Sequence, residues 1–496
     1  MAKGYLDNYY ARLGVPKSAS FDDVRFAYHQ AARRLHPDSN KNPGAVELFL
    51  QVQEAYETLS NPAKREKYDK TLPDDIDNLP EILVNTIFSR EILPIMSSPQ
   101  LVYVLLDLLA LPEPDEFHNK RPPINICLVL DTSTSMTGDR LDAVKSTATY
   151  LIKAMHPNDY FSMVTFNDRA ETILPASRGL DYSFVQSRIS IIHTSGGTEI
   201  FKGLMAAIDE IEKNRERVLL NHLILITDGR TYGDENKCLE LADQANQNGI
   251  TITCLGVGGD WNDQFLDDLA KRTGGSSAYA DQPGKIQQIL EEKFGLMQFT
   301  YANNVYFEST TPPNVQLRYA FRLLPDASSL GLDERINFGD IPLGRSLSIL
   351  MEFYIEEVKK GTSSLTIADG ELHFNIPSRP IPRISSRLTM TRPVAVDPQI
   401  NPPPQVLVRA MSHLSLYRLQ EQAQMELEEG KIEKATRRLN NLEANLLTSG
   451  QPKLAKTVRF ELEKLIHGNA LSEEGKKQIK YGTRSLINIP DEEKPR

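Results

Sequence analysis

Five oxygen-bearing side chains are spaced so that they could share one cation. The run "INICLVLDTSTSM" is apolar and strand-like, then opens into Asp131, Ser133 and Ser135, two residues apart, whose oxygens can converge from a single strand-end loop. Further on, "SGGTEI" presents Thr198 ahead of a helical pattern, and "ITDG" presents Asp228 at the end of another apolar run. An all-oxygen set with two carboxylates suits a hard cation, Mg²⁺ or Mn²⁺. Hydroxyl ligands are neutral, so such an ion would keep positive charge to offer an incoming carboxylate. A competing reading makes Asp131 and the serines an N-cap cluster for the helix that starts at 139, since Ser, Thr and Asp favour that role.

A second feature is "RRLHPDSN", where His36, Pro37 and Asp38 end a basic helical stretch. On these residues alone the tripeptide is a helix-ending turn, because proline disfavours helix at the preceding residue and Asp caps the next turn. No acid interrupts Val24 to His36, so the helix offers Arg25, Arg33 and Arg34 to an acidic partner. Exposed ion pairs are worth about 0–1 kcal/mol each, which supports a fast, transient contact. Enzyme signatures are missing. Ser133 stands where a DxD phosphotransferase needs its second Asp, "GVGG" at 256–259 belongs to no GxGxxG, there is no GK[ST] loop, and none of the nine histidines forms HExxH. No enzymatic activity is expected.

The elements that must position these residues follow from periodicity. At 496 residues several domains are expected, because one core rarely grows past roughly 250–300 residues. Residues 1–70 read as helices: "FDDVRFAYHQAARRL" places Val24, Ala27, Tyr28, Ala31 and Leu35 on one face, with Ser20 as its cap. An acidic linker at 71–78 precedes strand-like segments in 79–118. From 119 to 297 apolar strands buried on both faces alternate with amphipathic helices, the pattern of a doubly wound, Rossmann-like α/β domain with ligands at the carboxyl ends of its strands. Alternation returns over 298–395, where Val315, Leu317, Tyr319 and Phe321 read as one face and Leu347, Ile349, Met351, Phe353 and Ile355 as another. Helices fill 400–470, and the lysine-rich tail at 471–496 reads as flexible.

Bulk properties narrow the partners. Hydrophobic content of 40% and charged content of 25% describe an ordinary globular chain, and a net charge of -10 argues against binding nucleic acid or anionic membrane. The three cysteines form no CxxC pair and read as buried small hydrophobes. The start "MAKGYLDNYY" has no apolar h-region, and the longest apolar run is too short to span a bilayer, so a cytoplasmic protein is expected.

Two family resemblances build on these residues. "DNYYARLGV", "VRFAYHQAARRLHPDSN", "FLQVQEAYETLS" and "PAKREKYD" follow the order and spacing of a J-domain over residues 5–70. The resemblance implies docking on a seventy-kilodalton heat-shock chaperone and stimulation of its ATPase, with His36, Pro37 and Asp38 as trigger and Arg25, Tyr28, Arg33 and Asn40 as contacts. His29-Gln30 departs from the basic pair usual after the tyrosine. The glycine/phenylalanine-rich and cysteine-rich modules of general J-domain chaperones are also missing, so partner choice must lie elsewhere in the chain.

The α/β segment resembles a von Willebrand factor type A domain with a metal-ion-dependent adhesion site. The resemblance assigns Asp131, Ser133, Ser135, Thr198 and Asp228 to that site, some through water, with an acidic ligand residue completing the shell. Thr194 and Ser195 compete with Thr198, but the family's threonine follows the glycine pair. The order of pieces is similar to bacterial proteins that insert this domain in a β-sandwich and end in helices. Taken together, the expected protein is a multidomain co-chaperone adaptor: the metal site captures a protein partner and the J-domain delivers it to the chaperone. The alternative is a scaffold of a multiprotein assembly in which chaperone recruitment is secondary.

Overall fold

The computed structural model describes residues 8–13, 15, 17, 19–35, 43–72, 82–110, 121–215, 220–231, 233–378, 382–399, 401–468 and 470–487. They fall into two compact units, one of residues before 122 with 300–411, the other of 122–299 with 412–487. Among the described residues no helix is long and apolar enough to cross a membrane.

The first unit begins with α1 (Tyr9–Leu13), α2 (Phe21–Leu35), α3 (Pro43–Leu59) and α4 (Pro62–Asp69). Ser20 and Asp23 start α2 as a reciprocal cap: Asp23 N donates to Ser20 Oγ at 3.2 Å and Ser20 N to Asp23 Oδ2 at 2.9 Å. Tyr10, Leu13, Val24, Ala31, Val52, Ala55 and Leu59 fill the core between the helices. Arg65 of α4 ties the bundle together, donating to Tyr10 Oη at 2.8 Å and to the carbonyls of Lys17 and Ala19 at 2.7 and 2.8 Å. The expected 71–78 linker lies almost wholly outside the described residues.

Two antiparallel sheets complete this unit. One has the order β1 (Ile82–Phe88), β3 (Gln100–Ala110), β14 (Ser346–Ile355), β11 (Val315–Leu324) and β12 (Ser328–Ser329). The other runs β13 (Arg335–Pro342), β10 (Thr300–Thr310), β15 (Ser364–Asn375), β16 (Arg383–Ala395) and β2 (Leu93–Pro94), the last pairing parallel. Strand β3 pairs with β14 from Gln100↔Ile355 to Leu109↔Ser346, so segments on either side of the α/β domain share one sheet. The α/β domain is thus inserted in a β-sandwich. Leu347, Ile349, Met351, Phe353 and Ile355 all face its core. The expected face of β11 is corrected. A bulge between Leu317 and Tyr319 flips the alternation, so Val315, Leu317 and Ala320 face the core while Tyr319 and Phe321 stack on the other side.

The second unit is built on a sheet ordered β6 (Ala170–Ser177), β5 (Tyr160–Phe166), β4 (Ile124–Asp131), β7 (Leu220–Thr227), β8 (Ile250–Val257) and β9 (Ser277–Ala280). All pairings are parallel except β5 with β6. Helices α5 (Asp139–Ala154), α6 (Tyr182–Ser190) and α10 (Pro283–Gln298) contribute to one core, and α7 (Ile200–Glu212), α8 (Glu235–Gln247) and α9 (Asp263–Arg272) to the other. Strand β4 shows why its sequence is apolar throughout: Ile124, Ile126, Leu128 and Leu130 enter the first core, Cys127 and Val129 the second. The cysteines are buried, and burial pushes the Cys127 thiol up to about 12.

Helices α11 (Gln405–Glu428), α12 (Ile432–Thr448) and α13 (Pro452–Ile466) follow, separated near Gly430 and Gly450 as their sequence implies. The expectation of a flexible tail from 471 is overturned for residues 473–485, which form α14 (Glu473–Ser485). Ser472 caps it through Gly475 N at 3.1 Å and is held in turn by Glu461, whose carboxylate accepts Ser472 N and Oγ at 2.7 Å each. Three of the basic residues that read as a solvated tail are buried: Lys477 is 1%, Lys480 7% and Arg484 4% exposed. Lys480 and Arg484 are met on α9, where Lys480 Nζ reaches Asp263 at 2.5 Å and Asp267 at 2.8 Å, and Arg484 forks onto both oxygens of Asp267 at 2.7 and 3.1 Å; Lys477 Nζ instead donates to Gly259 O at 2.5 Å.

Candidate functional sites

The sheet order reverses beside β4 and β7, the place where open α/β sheets leave a crevice at their strand ends. Asp131 ends β4, and Thr132 bends the chain away by donating N and Oγ1 to Phe166 O at 2.7 and 3.0 Å. Ser133 N then donates back to Asp131 Oδ1 at 2.8 Å, and a 3-10 turn over Thr134–Met136, anchored by the buried Met136, brings Ser135 inward. Ser133 Oγ and Ser135 Oγ lie 3.0 Å apart, and Ser135 Oγ donates to Asp228 Oδ1 at 2.6 Å. Four of the five expected residues are therefore joined by direct hydrogen bonds.

Thr198 reaches the same place through a glycine. A Cβ at Gly229 would stand 2.8 Å from Thr198 Oγ1, so the residue after Asp228 must lack a side chain for that hydroxyl to approach. The two alternatives are engaged elsewhere: Thr194 Oγ1 lies 2.8 Å from Thr137 Oγ1, and Ser195 Oγ accepts Asn167 Nδ2 at 3.0 Å. The N-cap reading also lacks support in the geometry. Gly138 occupies the cap position of α5, and no side chain caps it.

Charge is concentrated here. Asp131 and Asp228 are buried, at 0% and 1% exposure. Burial pushes the Asp131 carboxyl up to about 6, assisted by the Asp228 charge and opposed by hydrogen bonds from Thr227 and Ser133. Thr227 Oγ1 donates to Asp131 Oδ2 at 2.6 Å, and Arg140 Nη1 to Asp228 Oδ2 at 2.5 Å. Neither Thr227 nor Arg140 is singled out by the sequence patterns, although Thr227 stands next to Asp228 in the quoted "ITDG". Among the described residues no group of three or more His, Cys, Asp or Glu is placed to hold a metal. An ion at these strand ends would therefore depend on the hydroxyls. Two buried carboxylates and convergent hydroxyls fit a hard, oxygen-preferring dication.

Three of the expected chaperone contacts, Arg25, Tyr28 and Arg33, lie on α2. Arg25 is exposed on α2, and Tyr28 is half-buried with its ring stacked on Tyr56 at 4.2 Å between centroids. That stacking gives Tyr28 a packing role on the helix face. Arg33 lies within α2, whereas His36, Pro37, Asp38 and Asn40 lie outside the described residues.

Comparison with known proteins agrees with these two regions. Residues 8–69 match the DnaJ domain family, residues 125–292 the von Willebrand factor type A domain family, and residues 405–489 the Sll0103-like, C-terminal alpha-helical domain family. The Synechocystis protein sll0103 is 26% identical over 384 residues, covering 75% of this chain and 90% of that protein. The chaperone protein DnaJ of Streptococcus pneumoniae is 52% identical over 62 residues, which is 12% of this chain and only 17% of the chaperone. In fold, the chain is similar to a von Willebrand factor type A protein from Catenulispora acidiphila, with a TM-score of 0.61 at 16% identity over 77% of this chain and 89% of that one. It is also similar to the ArnB paralog VWA2 from Sulfolobus acidocaldarius, with a TM-score of 0.51 at 15% identity over 82% and 100% of the two chains.

Proposed function

Since this chain carries a DnaJ domain and a von Willebrand factor type A domain, we propose that it is a co-chaperone adaptor. Its α/β domain captures a protein partner through an acidic residue, and its first helices recruit a seventy-kilodalton heat-shock chaperone and stimulate its ATPase. The observation that carries this reading is the convergence of Asp131, Ser133, Ser135, Thr198 and Asp228 at the ends of β4 and β7, in a chain that also holds "HPD" after a basic helix.

In this mechanism Asp131, held by Thr227 and by Ser133 N, is the central carboxylate, and Ser133, Ser135 and Thr198 present neutral oxygens. Asp228 is oriented by Ser135 and Arg140. A bound Mg²⁺ or Mn²⁺ would supply a coordination position for the partner's carboxylate. Capture and recruitment require this chain to make or break no covalent bond.

Asp131→Ala is expected to remove Mg²⁺-dependent stabilisation and partner capture together. Ligand stabilisation follows RT ln(1 + [L]/Kd), so millimolar Mg²⁺ acting on a site of roughly 0.1 mM affinity adds only about 1.4 kcal/mol. A small rise in melting temperature on adding Mg²⁺, absent in the variant, is the expected pattern. Partner pull-down that persists equally in EDTA and in Asp131→Ala would contradict capture through this site.

A further inference from the structure

Arg140 is the second residue of α5, and its guanidinium is held on three sides. Nη1 donates to Asp228 Oδ2 at 2.5 Å and lies 3.4 Å from Ser135 O, while the far edge rests against Gly258. A Cβ at Gly258 would stand 2.7 Å from Arg140 Nη2 and 3.0 Å from Cζ, and this glycine has φ +70°, so backbone and side chain are fitted to each other there. The Asp228 side chain has no solvent exposure, and its other oxygen accepts Ser135 Oγ. A cation that uses these strand ends therefore meets two carboxylates and one fixed positive group.

We propose that Arg140 tunes the charge of the metal site: by offsetting one of its two carboxylates, it weakens binding of a cation alone and leaves more positive charge for an acidic ligand. The inference rests on the capture reading above. A site with two uncompensated carboxylates would bind a dication tightly and neutralise it. With Arg140 in place, one net negative charge faces a doubly charged ion, and the surplus favours a carboxylate from outside. Lysine at this position would keep the charge and lose the planar group seated against Gly258, whereas glutamine or methionine would remove the charge.

The test is the affinity of the full chain for Mn²⁺, read from the electron paramagnetic resonance signal of the free ion, with Mg²⁺ as competitor and Asp131→Ala as the zero-binding reference. Arg140→Gln is expected to bind Mn²⁺ about tenfold tighter than the unsubstituted chain, because a like charge has left the neighbourhood of the ion. Arg140→Met, which keeps an aliphatic stem against Gly258, should move the same way, and Arg140→Lys should stay near the original affinity. Unchanged or weaker Mn²⁺ binding in both neutral variants, with the original chain binding normally, overturns the role of Arg140 and leaves the capture site standing. Absence of Mn²⁺ binding by the unsubstituted chain overturns both.

Discussion

Asp267→Ala is expected to destabilise the α/β unit by roughly 3–5 kcal/mol, the cost of breaking a buried ion pair by removing one partner. Two cations depend on this carboxylate: Arg484, which also donates to Ser277 Oγ at 2.9 Å and Tyr417 Oη at 3.0 Å, and Lys480 at 2.8 Å. Among the described residues Asp267 is the acid paired with Arg484, so its removal leaves that buried guanidinium without its carboxylate. A loss of that size lowers a calorimetric midpoint by about 10 °C in a unit of this size. The double change Asp267→Leu with Arg484→Met should recover most of the loss, since a buried pair replaced by apolar side chains of similar volume is often near neutral. A melting midpoint unchanged in Asp267→Ala would show that α14 is not part of the folded unit.

Acid should act on the same contact. Burial pushes the Asp267 carboxyl up, but Arg484 and Lys480 beside it outweigh that and hold it far below the usual carboxylate range. A carboxylate depressed in the folded state contributes stability above its unfolded pKa of about 3.9 and loses that contribution as pH falls below it. The unsubstituted chain should therefore lose stability steeply below about pH 4, and Asp267→Ala should show a flatter decline over the same range.

The contrast between α14 and the oxygen cluster at the ends of β4 and β7 shows what a linear sequence can carry. The convergence of Asp131, Ser133 and Ser135 is legible because strand periodicity fixes where a strand ends, and side-chain oxygens two residues apart on one loop can meet. Thr198 and Asp228 are legible because each stands beside a glycine at the border of a regular element. The split sandwich is legible from alternation before and after the α/β pattern. By contrast, "EEGKKQIKYGTRS" reads as solvated charge, because burial of Lys480 and Arg484 is decided by Asp263 and Asp267, more than 200 residues away. Arg140 is hidden for the same reason: nothing local marks an arginine in a first helical turn as the partner of Asp228. The bulge in β11 escapes notice because one extra residue inverts a two-residue period without changing composition.

His36→Gln is expected to reduce stimulation of the chaperone ATPase to the basal rate. His36 stands between α2 and α3 in sequence, directly after a helix that exposes Arg25 and carries no acid from Val24 onward. The described core of this region is built by Tyr10, Leu13, Val24, Val52 and Leu59, none of which the substitution alters. Helix content and melting should therefore be preserved, and partner capture by the α/β domain should be unaffected. The loss belongs to recruitment alone, in contrast to Asp131→Ala, which should remove capture and leave ATPase stimulation intact.

The most direct measurement is single-turnover ATP hydrolysis by a seventy-kilodalton heat-shock chaperone, with the full chain, His36→Gln or Asp131→Ala added in separate reactions. Expected are acceleration by the unsubstituted chain, equal acceleration by Asp131→Ala and none by His36→Gln. Equal acceleration by His36→Gln, or no acceleration by the unsubstituted chain, would contradict the adaptor function at its centre.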